Sequence, residues 1–384
     1  MIARHIAPAI RELSGKYSVF TITGPRQSGK TTLIRSLFPD LPYFSLENPD
    51  TRSQVADDPR GLFARFGHRM ILDEVQRVPE LLSYIQGIVD EDREACFVLS
   101  GSHNPLMMES VNQSLAGRTA LFYLQPLSYA EIAGIADKKL PSFEELIWQG
   151  GYPRIYDRGI APDRFYPDYL ETYVQRDVRQ LKNIGDLAAF NRFMEVCASY
   201  IGQAVNYSNL AVATGVTLNT VKSWLSLLET SFIIYTLNPY YRNFKKRLVK
   251  SPKLYFRDTG LACSLLRLTS VEAVADYYQR GALFENLVIN EWSKTYFNTG
   301  QRPPFYFWRD NSRHEIDLLI DRGGRLQPIE IKAGRTYRRD FFKQLDWFAT
   351  ISELPLDQPI VIYGGEEEWP ADHGLLQSWR QIGH

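Results

Sequence analysis

Eight residues constrain this chain more than any others. Gly24-Pro25-Arg26-Gln27-Ser28-Gly29-Lys30-Thr31 matches G-x-x-x-x-G-K-[ST]. Its flanks agree. Tyr17 to Thr23 is rich in β-branched and aromatic residues and predicts a strand, and Thr32 to Phe38 predicts a helix. A strand, a glycine-rich turn and a helix N-terminus aim backbone N–H groups at an anion. Gly24 to Thr32 is therefore the candidate phosphate cradle. Lys30 is placed to reach the β- and γ-phosphates, and the Thr31 hydroxyl to hold Mg²⁺.

A chain of 384 residues predicts two or three domains. Formal net charge is zero, so nucleic acid could be held only by a local patch. Cys96, Cys197 and Cys263 are widely spaced, with no disulfide framework or zinc-ligand spacing, which fits a reducing cytoplasm. No apolar run is long enough for a membrane span or a signal peptide, so a cytoplasmic protein is expected.

The first domain is expected over residues 1–155. Ile2 to Leu13 predicts a short helix, Pro42 to Leu46 a strand, and Pro49 to Phe66 a broken helix. His68 to Glu74 is an apolar strand ending in two acids, the pattern of a Walker B strand. Asp73 would hold Mg²⁺, and Glu74 would orient and deprotonate the attacking water. Ala95 to Ser100 predicts another buried strand. Ser100 or Ser102, at its end, is the candidate γ-phosphate sensor; a helix N-cap at Ser102 or Asn104 is the plainer alternative. Arg118, before the strand Leu121 to Leu124, is the candidate finger reaching a neighbour's nucleotide, with a simple surface ion pair as the alternative.

These motifs together resemble a prokaryotic family of AAA-type ATPases fused to a C-terminal domain of unknown function, DUF4143. The resemblance rests on Gly24-Pro25-Arg26-Gln27, Ile71 to Gln76, Leu99 to Ser102 and Ala116-Gly117-Arg118. Leu124 to Glu131, Gly150 to Pro153 and Tyr173 to Val178 extend it. It implies ATP as the nucleotide and adds Arg154 and Arg176 as possible nucleotide sensors.

Residues 156–250 read as a winged helix. Ala188 to Gly202, Tyr207 to Thr214 and Thr217 to Thr230 predict three helices, with Gly215 at the turn and Thr217 or Asn219 as cap. Phe232 to Leu237 and Lys253 to Phe256 predict the wing's strands. Between them stand Arg242, Lys245, Lys246, Arg247 and Lys250 with no acid, and Lys253 is expected to extend that basic patch. With Lys222 on the third helix, this is the candidate DNA surface. Lids and protein contacts also use winged helices.

Residues 251–384 place a helix (Gly281 to Phe297), three strands (Phe305 to Arg309, His314 to Ile320, Leu326 to Lys332), a helix (Arg338 to Phe348) and a last strand, Pro359 to Tyr363. This order resembles the PD-(D/E)xK nuclease core. Asp317 and Glu330-Ile331-Lys332 supply its pattern, and Glu285 a frequent fourth position. Glu330 and Lys332 share a strand face. Asp317 and Glu330 would hold Mg²⁺, and Lys332 would orient water or stabilise developing charge.

The fold class expected is thus α/β: a P-loop ATPase domain with a parallel sheet, a winged helix, and a nuclease-like α/β domain. The expected function is ATP hydrolysis by a homo-oligomer that binds duplex or branched DNA, through a nuclease-like domain that retains the residues for cleavage. The alternative is a regulatory or defence switch on a protein partner, with an inactive nuclease-like module.

Overall fold

The computed structural model describes residues 2–102, 113–135, 140–173, 184–240 and 250–382. Its N-terminal sheet contains β1 (Val19–Gly24), β2 (Tyr43–Ser45), β3 (Arg69–Asp73), β4 (Cys96–Ser102) and β5 (Thr119–Tyr123), in the order β2-β3-β4-β1-β5. Every pairing is parallel. Alternation splits the strands between two cores. Val19, Leu72 and Phe97 pack on one face with Leu81, Leu82 and Ile85. Phe20, Ile71 and Val98 pack on the other with Ile10, Leu33 and Ile34. Both faces are covered, which is why these strands read as continuous apolar runs.

Asp73 pairs with Ser100, and Gly24 with Ser102. The carboxyl ends of β1, β3 and β4 therefore share one edge, where open α/β sheets bind their ligands. The broken helix is two helices, Pro49–Asp57 and Pro59–Phe66. Pro59 has no N–H with which to continue the first, and Asp58 caps the second by accepting from Gly61 N at 2.8 Å.

Three helices, Phe143–Gln149, Pro153–Asp157 and Pro162–Tyr169, follow. Tyr152, Phe165, Tyr166 and Tyr169 pack together there, and the Tyr152 hydroxyl donates to Tyr169 at 2.9 Å. Helices Leu187–Ser199, Tyr207–Thr214 and Leu218–Thr230 come next. Gly215, at φ 74, ends the second, and Thr217 caps the third by accepting from Thr220 N at 3.1 Å. Trp224 meets Phe190 and Phe193 edge-on at 5.2 and 5.4 Å. An antiparallel hairpin, β6 (Ile234–Leu237) with β7 (Lys253–Phe256), closes this unit, so it reaches past residue 250.

Helix Arg280–Asn298 leads into the third sheet. Its strands are β8 (Phe305–Arg309), β9 (Glu315–Asp321), β10 (Leu326–Lys332), β11 (Ile360–Tyr363), β12 (Trp369–Ala371) and β13 (Gly374–Ser378), ordered β12-β13-β11-β10-β9-β8. Helix Lys343–Ile351 connects β10 to β11. Two strands thus follow the one expected to be last. They are short, and Pro370 and Gly374 mask their pattern. One core runs from Leu127 to Ile382 and is shared by the middle helices and this sheet.

Candidate nucleotide-binding site

The loop between β1 and helix Lys30–Leu37 forms as its glycines dictate. Gly24 has φ 150, and a Cβ there would lie 2.1 Å from the Leu124 carbonyl oxygen. Gly29 holds φ 94 at the helix N-cap. Lys30 is buried and donates to the Gly24 and Pro25 carbonyls at 3.1 and 2.9 Å. Burial pulls its pKa down to about 8, although Glu74 and Asp73 work against the shift. An anion in the loop would restore what burial takes from the ammonium.

The Walker B acid is tied into the loop. The Thr31 hydroxyl donates to Asp73 Oδ2 at 2.8 Å, and the Tyr43 hydroxyl donates to the same oxygen at 2.7 Å. The Ser100 hydroxyl donates to Asp73 Oδ1. Ser100 therefore belongs to the acid's own network, while the backbone of Ser102 stands beside Gly24. Burial, then the neighbouring Asp73, raises the pKa of Tyr43 far above its ordinary value, so it stays a donor. Thr31 and Asp73 together make an all-oxygen donor pair of the kind Mg²⁺ takes beside substrate phosphates.

Glu74 follows at φ 59 and ψ 45, a left-handed conformation that is strained for a side chain of this kind. The Gln76 amide donates to its carboxylate. Glu74 faces a cleft of about 770 Å³ lined also by Arg4, Arg26, Gln27, Lys30, Thr31 and Thr32. Pro153, Arg154 and Arg158 form its opposite wall. Of the two extra candidate arginines, Arg154 thus stands at the cleft, and Arg176 lies outside the described residues.

Arg4 is a clamp that the sequence reading missed. It donates to the Ser28 and Gln125 carbonyls, both at 2.7 Å, and pairs with Glu131 at 3.1 Å. Glu131 also closes a capping box with Ser128. The S-x-x-E spacing was the available signal for that half of the contact.

Residues 16–133 match the family model described as AAA domain, and residues 280–381 match that of the domain of unknown function DUF4143. Residues 140–272, between them, match another domain of unknown function, DUF8612. Uncharacterized protein Rv2008c of Mycobacterium tuberculosis is 30% identical over 373 residues, which cover 96% of this chain and 81% of that protein. Uncharacterized protein Mb2031c of Mycobacterium bovis matches equally. This chain belongs to the AAA-type P-loop ATPases fused to a DUF4143 domain. Among solved structures, the Walker-type ATPase PABY2304 of Pyrococcus abyssi aligns over 69% of this chain and 96% of its own, with 14% identity and a TM-score of 0.46. The signal transduction ATPase with numerous domains PH0952 of Pyrococcus horikoshii aligns over 75% of this chain and 47% of its own, with 13% identity and a TM-score of 0.24.

The other candidate residues of this AAA–DUF4143 protein fall into three groups. Arg118 forms a bidentate pair with Asp90, at 2.6 and 2.9 Å, and does not line the cleft of its own chain. Lys222 is exposed on the helix after the Gly215 turn. Arg242, Lys245, Lys246 and Arg247 lie outside the described residues, and Lys250 is exposed at the start of the chain's return.

The third group is the DUF4143 acid cluster. Lys332 Nζ lies 2.5 Å from Glu330 and 3.9 Å from Asp317, and Asp317 accepts from Ile331 N at 2.9 Å. Glu285 pairs with Lys253 at 2.9 Å and accepts from the Tyr255 hydroxyl. Burial, above all, holds the pKa of Glu285 and Glu330 well above the usual carboxylate range, and Asp317 adds to both shifts. Lys253 is thus 2% exposed, not part of a basic surface as expected. The β6–β7 ladder turns its side chain inward, which a run of nearby bases could not reveal. These carboxylates are matched to ammonium groups, and among the described residues no group of three or more Asp, Glu, His or Cys is placed to hold a metal ion. Glu330 Oε1 is buried with no hydrogen-bond partner among the described residues, while Lys332 holds its other oxygen and Lys253 holds Glu285, so the set as it stands fits resident ammonium groups better than the Mg²⁺ expected there.

Proposed function

We propose that this chain is an oligomeric Mg-dependent ATPase that acts on DNA. The observation that carries the nucleotide half is the meeting of Lys30, Thr31 and Glu74 at one cleft, with Asp73 hydrogen-bonded to Thr31. Lys30 would leave the Gly24 and Pro25 carbonyls for the β- and γ-phosphates, while the loop N–H groups hold the rest of the chain of phosphates. Thr31 and Asp73 would hold Mg²⁺, which supplies charge neutralisation to the phosphates when bound. Glu74 would orient the attacking water and accept its proton, and Gln76 fixes the carboxylate for that task. Arg118, released from Asp90, would reach the nucleotide of a neighbouring copy.

Support for DNA is the helix-turn-helix with its Thr217 cap, exposed Lys222 and Lys250, and the run Arg242, Lys245, Lys246 and Arg247, which concentrates positive charge in a chain with no net charge. The DUF4143 domain would then help to seat duplex or branched DNA. The test is ATP turnover with no DNA and with single-stranded, duplex or four-way-junction DNA. Stimulation that falls as salt rises supports the reading. Turnover indifferent to every DNA, with no binding at low salt, overturns it.

A second reading has one observation in its favour. Val212 and Leu218, on the two helices around the Gly215 turn, are 85% and 46% exposed. Apolar side chains there suit a protein surface better than a phosphate backbone. ATP turnover would then gate a protein partner, and DNA would stimulate nothing.

A further inference from the structure

Lys253 occupies an unusual position. It stands in β7, the strand that follows the basic run, and its backbone pairs with Leu237 of β6 on one side and bridges Ala204 on the other. Two backbone partners fix the direction of its side chain. That side chain crosses from the hairpin into the DUF4143 sheet, lies over the Phe307 ring at 5.5 Å, and ends among carboxylates. Its Nζ is 2.9 Å from Glu285 Oε1 and also contacts Glu315, whose other oxygen is 3.3 Å from Arg309. Four carboxylates, Glu285, Glu315, Asp317 and Glu330, thus face three cations, Lys253, Lys332 and Arg309.

We propose that Lys253 is a resident cation that closes the nuclease-like carboxylate cluster to divalent metal. The cluster then works as a clasp: it fastens the β6–β7 hairpin to the C-terminal sheet, and the domain holds its ligand without cutting it. A buried carboxylate needs a counter-charge, and a divalent ion supplies it where a protein offers none. Here an ammonium on a strand fixed by two backbone partners supplies it, and a metal ion at Glu285 would have to displace that ammonium from the carboxylate. Removing one partner of a buried pair leaves the other uncompensated. Loss of the Lys253 charge is therefore the change that should open the cluster to a metal.

The test is Mn²⁺ binding to the full chain without nucleotide, followed by electron paramagnetic resonance and by titration calorimetry. Mn²⁺ held by the cluster is defined as that lost on Asp317→Asn. In the wild type, Asp317→Asn is expected to leave the Mn²⁺ stoichiometry unchanged. Lys253→Met, which keeps the methylene stem, is expected to gain one Mn²⁺ per chain, lost again in the Lys253→Met/Asp317→Asn double variant. Wild-type Mn²⁺ binding that drops by one ion in Asp317→Asn overturns the proposal. So does Mg²⁺-dependent DNA cleavage abolished by Asp317→Asn, or a folded Lys253→Met protein that takes up no metal. Should Lys253→Met fail to fold, the comparison of wild type with Asp317→Asn decides alone. None of these readouts involves ATP turnover, so their failure is distinct from failure of the nucleotide reading.

Discussion

Thr31 and Asp73 stand 42 residues apart in the chain, and a 2.8 Å hydrogen bond joins them. That contact brings the phosphate loop and the acidic strand end into one centre. Tyr43 supports it from β2 by donating to the same carboxylate oxygen. Tyr43→Phe removes the hydroxyl and little else. It is expected to raise the Mg²⁺ concentration needed for half-maximal turnover about 10-fold, the usual size of an outer-shell effect. A titration of turnover against Mg²⁺ measures this, and an unchanged midpoint contradicts the role given to Tyr43.

The Arg4–Glu131 pair is buried, with side chains 8% and 1% exposed. Arg4→Ala strands the Glu131 carboxylate and leaves the Ser28 and Gln125 carbonyls without their donor. Stability is expected to fall by about 3–5 kcal/mol, read from urea unfolding. The phosphate loop should also bind nucleotide more weakly, since Ser28 loses its tether. Equal unfolding midpoints would show the clamp to be ornamental.

Arg118 is held by Asp90 at the surface, outside its own chain's cleft. Arg118→Ala is therefore expected to bind ATP normally and to lose turnover by about 10³-fold, the lower end for an arginine finger. Asp90→Ala, which only frees the guanidinium, should keep turnover. Native mass measurement in ATP should show association. A monomer that hydrolyses ATP at full rate would remove Arg118 from the mechanism.

Asp258 sets a pH dependence. It is fully buried, and burial raises its pKa, although the Tyr166 hydroxyl, the N–H groups of Gly151 and Leu261, and Lys294 work against the shift. A carboxyl whose folded pKa is raised contributes most stability below its unfolded value, about 4, and loses it as pH climbs through the folded value. The stability of wild type relative to Asp258→Asn is expected to decline as pH rises above the unfolded value of about 4 in urea unfolding. A difference that stays constant or grows with pH contradicts this.

The parts legible in the sequence were those in which chemistry is local. Gly24 to Thr31 carries its own geometry, and an apolar run ending at Asp73-Glu74 announces a buried strand that meets a ligand. The helices Tyr207–Thr214 and Leu218–Thr230 were legible because Gly215 and Thr217 mark the turn and the cap between them. Contacts that depend on register were not. Ser100 could not be told from Ser102 without the pairing of β3 with β4, which delivers Ser100 to Asp73. Arg4 and Glu131 lie 127 residues apart, with no periodicity linking them. Lys253 was misread because its neighbours are basic, while only the pairing of β7 shows its side chain turned inward.

Nucleotide turnover at Lys30 and Glu74 is the property on which the other roles depend. Steady-state ATP hydrolysis with Mg²⁺ should be measured beside equilibrium nucleotide binding, for wild type, Lys30→Ala and Glu74→Gln. Lys30→Ala should lose binding. Glu74→Gln should retain it and lose turnover by about 10²–10⁴-fold, the contribution of a positioned general base. Wild-type turnover in Glu74→Gln, or unaltered binding in Lys30→Ala, would contradict the account.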